Sequence, residues 1–267
     1  MGVVAAEREG RLSAPLRIEM KTSQGIVIYP WGVEVGGGVL FLDISEALSR
    51  LKELGDPAAV EGMKRFGIAG REMLGVSVPN LRRLAKEAGR SHGLALKLWD
   101  TGIHDARILA ALVDEPELVT AGQMERWVRE FDSWDVCDGC CGNLFDKTPF
   151  AYAKALEWSK AGPEFVKRAG FSLMAELAVH DKSAEDAKFI RFLPAIREGS
   201  EDERNFVKKA VNWALRQIGK RNARLNKKAI ALAEEIRQLD SKSARWVAAD
   251  ALRELKSPPV KKRLAGA

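Results

Sequence analysis

Trp134 and Asp138, in the stretch Phe131-Asp-Ser-Trp-Asp-Val-Cys-Asp138, stand four residues apart, so on a helix they share one face. An aromatic plate beside a carboxylate can press on a flat or sugar-like ligand while offering it negative charge. The plainer account of the same spacing is an amphipathic contact with a solvated Asp, and the surrounding chain has to decide between them. Three cysteines, Cys137, Cys140 and Cys141, crowd the same segment. A structural zinc site needs about four ligands, and no second Cys pair exists. A redox Cys-x-x-Cys opens a helix after a strand, and no strand pattern precedes this one. Buried small apolar packing is therefore the expectation, and an odd cysteine count fits a reducing cytoplasm. His92, His104 and His180 are isolated in sequence and receive no role. Gly36-Gly-Gly38 lacks the Lys and the following helix of a phosphate-binding loop.

The elements that must position Trp134 and Asp138 are read from apolar periodicity. Residues 1–42 differ from the rest, with Tyr29, Pro30, Trp31 and short β-like stretches such as Ile26-Val-Ile28, and are expected to form a disordered tail or short hairpin. From Asp43 onward the pattern is helical, broken at intervals of roughly 12–20 residues. Asp43 caps a helix bearing Ile44, Leu48 and Leu51, and Asp56-Pro57 opens a second. Pro79 opens another. Helices are then expected near Asp105–Val113, Thr120–Phe131, Trp134–Phe145, after Thr148-Pro149, and from Pro163 to about His180. Ser183 with Asp186, and Ser200 with Glu203, have capping-box spacing and should begin two more. Stretches near Leu225–Leu239 and Ser241–Leu255 complete the array before a Pro258-Pro259 stop and a basic tail.

A dozen or so short amphipathic helices with turn-length breaks imply an all-α solenoid of HEAT-like helical-pair repeats. Each pair needs its neighbours to bury its apolar face, and the stack presents a concave, basic groove. An irregular helical bundle is the alternative. The domain division is 1–42 as an irregular extension, 43–257 as the repeat domain and 258–267 as a basic tail. At 267 residues, with 46% hydrophobic and 30% charged residues, the chain can bury a sizeable core. The apolar run from Gly25 to Ile44 is interrupted by Glu34 and does not resemble a membrane helix. Glu7, Arg8, Glu9, Arg11 and Arg17 argue against a secretory signal. A soluble cytoplasmic protein is expected, with solenoids of this length usually monomeric.

The net charge of +6 is unevenly spread. From Arg204 onward 17 Lys and Arg stand against 5 Asp and Glu, whereas residues 1–203 carry 26 against 32. A basic final third is the electrostatic footprint of a polyanion binder.

Four landmarks in order carry a resemblance to the DNA alkylation-repair family of HEAT-like-repeat glycosylases, the AlkD type, over most of residues 44–256. They are Met63-Lys-Arg-Phe66, the Trp-x-x-x-Asp at 134–138, Lys167-Arg168-Ala, and Lys209-Ala-Val-Asn-Trp213-Ala-Leu-Arg216. The resemblance implies that Asp138 lies beside the deoxyribose of a damaged nucleotide, stabilising positive charge on the sugar and positioning water. Trp134 and Trp213 match the family's two aromatic platforms, which pack on sugar and backbone rather than enclose an extruded base. Arg168 matches a backbone-contacting Arg suited to phosphate, and replacing it should flatten the salt dependence of binding. Arg216, three residues beyond Trp213, shares that face; Lys208, Lys209 and Phe66 complete the expected DNA contacts. For Trp99, Trp127, Trp158 and Trp246, core packing is preferred.

The implied activity is hydrolysis of the N-glycosidic bond of cationic N3- or N7-alkylated purines in double-stranded DNA, with no metal or cofactor. A cationic purine is already an activated leaving group, so one carboxylate suffices. Two features depart from the family pattern. Glu176 would repel phosphate if it faced the groove, and Phe66 lacks the hydroxyl a Tyr would offer. A non-catalytic DNA- or RNA-binding solenoid and a protein-interaction scaffold are the alternatives.

Overall fold

A computed structural model describes residues 18–22, 25–29 and 42–266. The chain divides into two units, residues 1–41 and 42–267. In the first, strands β1 (Ile18–Thr22) and β2 (Gly25–Tyr29) pair antiparallel with Ile18 opposite Tyr29, the short hairpin among the expected outcomes. The readings made for Pro30, Trp31 and Gly36-Gly-Gly38 lie outside the described residues.

In the second unit the helices run α1 (Ile44–Glu53), α2 (Pro57–Arg65), α3 (Val78–Ala88), α4 (His92–Asp100) and α5 (His104–Val113). They continue with α6 (Ala121–Arg129), α7 (Trp134–Asn143), α8 (Ala151–Trp158), α9 (Glu164–His180) and α10 (Asp186–Ile190). The last are α11 (Leu193–Gly199), α12 (Asn205–Gly219), α13 (Ala223–Ile236), α14 (Lys242–Leu255) and α15 (Pro258–Ala265). A 3-10 turn, Phe145–Lys147, follows α7. No helix among the described residues is long and apolar enough to cross a membrane.

Local chemistry sets these boundaries. Asp43 accepts from the Glu46 amide at 2.8 Å and Asp56 from the Ala58 amide at 2.9 Å, each satisfying a donor the first turn leaves open. Ser91, Thr120, Asn222 and Ser241 cap their helices in the same way. The two anticipated capping boxes do not form. Ser183 donates instead to Asp181, and α10 starts at Asp186. Ser200 ends α11 and donates to the Arg197 carbonyl, while Glu203 turns to the start of α14. Capping-box spacing loses here to other partners: a carboxylate for Ser183, a carbonyl for Ser200 and an amide for Glu203. Pro258-Pro259 is likewise not a stop: Ser257 is extended, and the two prolines occupy the first positions of α15, where a missing N–H costs nothing.

Helices α3, α5, α7, α9, α12 and α14 form a row in which each packs on the next. On the other side of the row, α4 packs on α5, α8 on α9, α11 on α12 and α13 on α14. This two-layered α-solenoid buries the small and branched stripe of every inner helix, such as Ala244, Val247, Ala248, Ala251 and Leu255 of α14. Close approach is needed where α8 ends against α9: a Cβ on Gly170 would stand 2.4 Å from the Ser159 amide nitrogen. Trp99 and Trp127 stack at 4.0 Å with an interplanar angle of 4°, and Phe131, Phe145 and Trp158 continue the aromatic cluster.

The preferred core roles of Trp99, Trp127 and Trp158 hold, as all three are buried. Trp246 does not follow them. It lies off the buried stripe of α14 and is 42% exposed.

Truncating the stacked pair tests this reading of the core. Trp99→Ala should cost about 3–5 kcal/mol in urea unfolding, because a large side chain is removed where the neighbours cannot collapse. A loss under about 1 kcal/mol would contradict it.

Candidate active site and nucleic-acid interface

Helices α7 and α9 lie side by side and present matching ladders at four-residue spacing. Trp134, Asp138, Gly142 and, in the 3-10 turn, Asp146 face Arg168, Ser172, Glu176 and His180 rung by rung. Arg168 Nε donates to Asp138 Oδ1 at 3.0 Å and Nη2 to Oδ2 at 2.6 Å, a two-pronged ion pair. Ser172 Oγ donates to Asp138 Oδ1 at 2.7 Å. The third prong of the guanidinium, Nη1, donates to the Phe206 carbonyl of α12 at 2.6 Å. Its carbon lies 5.9 Å from the centre of the Trp134 ring. Three donated hydrogen bonds thus hold Asp138 in place, and its side chain remains 19% exposed.

Trp134 is fixed from the opposite side. Its Nε1 donates to the Phe66 carbonyl at 3.2 Å, at the end of α2. Gly67, with a positive φ of 72°, lies beside Phe206, which packs at 5.6 Å on Phe165. The turn after α2 therefore meets α7 and α12 around the Asp138–Arg168 pair.

Next along the ladder, Glu176 occupies the slot that Gly142 leaves open; a Cβ there would stand 2.3 Å from Glu176 Oε1. Burial among Asp146 and Asp138 outweighs His180, 3.7 Å away, and Lys147, and pushes the Glu176 carboxyl up to about 7. At neutral pH this rung is partly protonated, which lessens the phosphate repulsion expected of it. His180 itself bonds Asp146 at 2.5 Å.

At the start of α7, Asp135 bonds His104 Nε2 at 3.1 Å. Burial opposes charge on His104, yet Asp105 and Asp135 outweigh it and hold the imidazolium up to about 9. Asp105 in turn accepts from the Leu74 and Val76 amides, both at 2.7 Å. This cluster ties the α2–α3 connection to the N-terminus of α7. Sequence spacing concealed the roles of His104 and His180, since Asp135 and Asp146, which each bonds, come from other elements.

The remaining expected contacts divide. Trp213 is half-buried and packs against the core, and Phe66 is 76% exposed. Lys209 is exposed, and Lys208 Nζ sits 5.4 Å from the Trp246 ring centre. Two of the expected phosphate contacts are already paired within the chain. Arg168, only 6% exposed, is committed to Asp138 and Phe206 and does not stand free as a phosphate contact. Arg216 pairs with Glu254 at 2.5 Å and approaches Asp250 at 3.6 Å, because α14 brings acids level with it. The sequence of α12 alone carries no sign of either carboxylate.

Cys137, Cys140 and Cys141 are fully buried between α7 and α9, as the packing account requires, and burial pushes the Cys140 and Cys141 thiols well up. Among the described residues no cluster of His, Cys, Asp and Glu is arranged to hold a metal ion.

Residues 47–255 match the family described as DNA alkylation repair enzyme. The chain belongs to this family. Two uncharacterized proteins, from Listeria innocua and Listeria monocytogenes, are each 21% identical over 192 residues, 70% of this chain and 84% of theirs. Among solved structures, a similar chain is described as a new family related to the HEAT-like repeat DNA glycosylases with affinity for branched DNA structures. It is 20% identical, aligns with a TM-score of 0.69, and spans 83% of this chain and 96% of its own. At that identity the likeness establishes the HEAT-like fold. For this DNA alkylation repair family member, the two-ladder geometry then gives that fold a specific candidate centre.

Glu176 gives the site a pH signature. Its folded-state value lies above the ordinary carboxyl value of 4.5, so it binds a proton in the folded chain that the unfolded chain has already lost. Its contribution to stability therefore falls as pH rises from about 4.5 to 7 and is flat beyond. Glu176→Gln should be progressively more stable than wild type across that window and should hold a constant advantage above it. A stability difference that does not change between pH 4.5 and 8 would contradict the assignment.

Proposed function

We propose that the protein hydrolyses the N-glycosidic bond of cationic N3- or N7-alkylated purines in double-stranded DNA, with Asp138 as the catalytic carboxylate. The observation that carries this is Asp138, held by Arg168 and Ser172 near the Trp134 ring with its side chain still 19% exposed. Departure of a cationic base leaves positive charge on the deoxyribose. A preorganised carboxylate stabilises that charge without having to reorient, and it orders the attacking water. Because the alkylated purine leaves as a neutral base, no proton need be delivered to it. Trp134 and Trp213 supply apolar faces for the sugar, and Lys208, Lys209 and Phe66 contact the strand along the groove.

One observation favours a second reading, DNA binding without chemistry. The Arg168 guanidinium neutralises Asp138, and a tightly closed ion pair offers less field to a sugar cation than a lone carboxylate. The branched-DNA affinity in the description of the similar structure agrees with such a role.

Release of free base from methylated duplex DNA separates the two. Wild type should release 3- or 7-methylpurine, and Asp138→Asn should lose about 100-fold or more in rate, the scale of removing one preorganised electrostatic group. Both proteins are compared at a temperature where each is folded by circular dichroism. Equal release by both would refute the mechanism, and no release by wild type with retained duplex binding would establish the second reading.

A further inference from the structure

We propose that Trp246 and Lys208 form a stacking site for an unpaired nucleotide, at the α12–α14 end of the groove and separate from the Asp138 centre. The inference rests on the groove being the DNA-binding face, and it adds that the DNA includes a single-stranded or frayed segment.

The observations are local. Trp246 is the large aromatic of α14 that the packing leaves out: the buried stripe is Ala244, Val247, Ala248, Ala251, Leu252 and Leu255, and Trp246 remains 42% exposed. Lys208 of the adjacent α12 places its ammonium 5.4 Å from the ring centre. A flat ligand can stack on the exposed part of this indole while the ammonium neutralises the phosphate beside it.

Surrounding charge fits a polyanion. Lys209 and Lys242 are exposed, and neither they nor Lys208 form an ion pair among the described residues. This contrasts with the next turns of the same helices, where Arg216, Lys220 and Glu254 neutralise one another. Of the nearby acids, Asp240 pairs with Arg245 at 3.2 Å and Asp250 with Arg253, while Glu203 accepts from the α14 amide of Ser243 at 3.4 Å and keeps its charge. Aromatic surface plus uncommitted lysines is the combination that binds single strands, because every base presents a π face whatever its sequence. In a continuous duplex those faces are stacked on each other and unavailable.

The test is fluorescence anisotropy with three DNA probes: a single-stranded oligonucleotide, a forked duplex with unpaired arms, and an uninterrupted duplex. Trp246→Ala should weaken binding to the first two about tenfold, Trp246→Phe should retain most of it, and the uninterrupted duplex should change by less than twofold. Equal loss on all three probes, or no loss on any, would overturn the proposal. A concentration-dependent dimer in sedimentation that Trp246→Ala abolishes would overturn it as well, assigning the surface to self-association. Base release from methylated duplex by Trp246→Ala reads the Asp138 chemistry separately. Failure there in wild type leaves the stacking result standing, and failure of stacking leaves the chemistry standing.

Discussion

The Asp138–Arg168 ion pair is the interaction on which the arrangement of the groove depends. A buried guanidinium is costly unless every prong is met, and here two prongs go to the carboxylate and the third to the Phe206 carbonyl. One side chain of α9 thereby fixes α7 on one side and the start of α12 on the other. Trp134 lies against the same guanidinium and bonds the end of α2, so four helices converge on a single charge pair. Substituting either partner would leave a charge in the core-facing wall of the groove with nothing to balance it.

Charge is distributed along the groove in a way the net value conceals. Around α7 and α9 the acids Asp135, Asp138, Asp146 and Glu176 are each answered, by His104, Arg168, His180 or a proton. Toward α12 and α14 the lysines Lys208, Lys209 and Lys242 are uncommitted. A strand laid along such a surface would be held electrostatically at one end and meet a polar centre of paired charges at the other. That order suits a ligand whose reacting part is less anionic than its flanks.

Much of the solenoid was legible because apolar periodicity and caps are local. Asp43, Asp56-Pro57 and Pro163 open helices where their chemistry predicts, and Trp134 and Asp138 do share a face. What the local pattern does not carry was decided by partners it does not specify, some of them distant in sequence. Arg168 reads as a free phosphate contact until α7 brings Asp138 to it, and Arg216 reads so until α14 supplies Glu254. The capping boxes at Ser183 and Ser200 gave way to the Asp181 carboxylate and the Arg197 carbonyl. His104 and His180 are hard to read because one carboxylate partner of each, Asp135 and Asp146, lies 31 and 34 residues away. Trp246 was misjudged for a subtler reason: its position relative to the buried stripe is off by one residue, and aromatic content alone does not reveal that.

The most direct measurement of this account is a double-mutant cycle on the pair, using Asp138→Asn, Arg168→Met and the combination in urea unfolding. If the pair organises the groove, each single change costs about 3–5 kcal/mol by leaving the other charge uncompensated. The combined change would then cost less than the sum by more than about 1 kcal/mol. Costs that add to within about 0.5 kcal/mol would contradict the account, since the two side chains would then act independently.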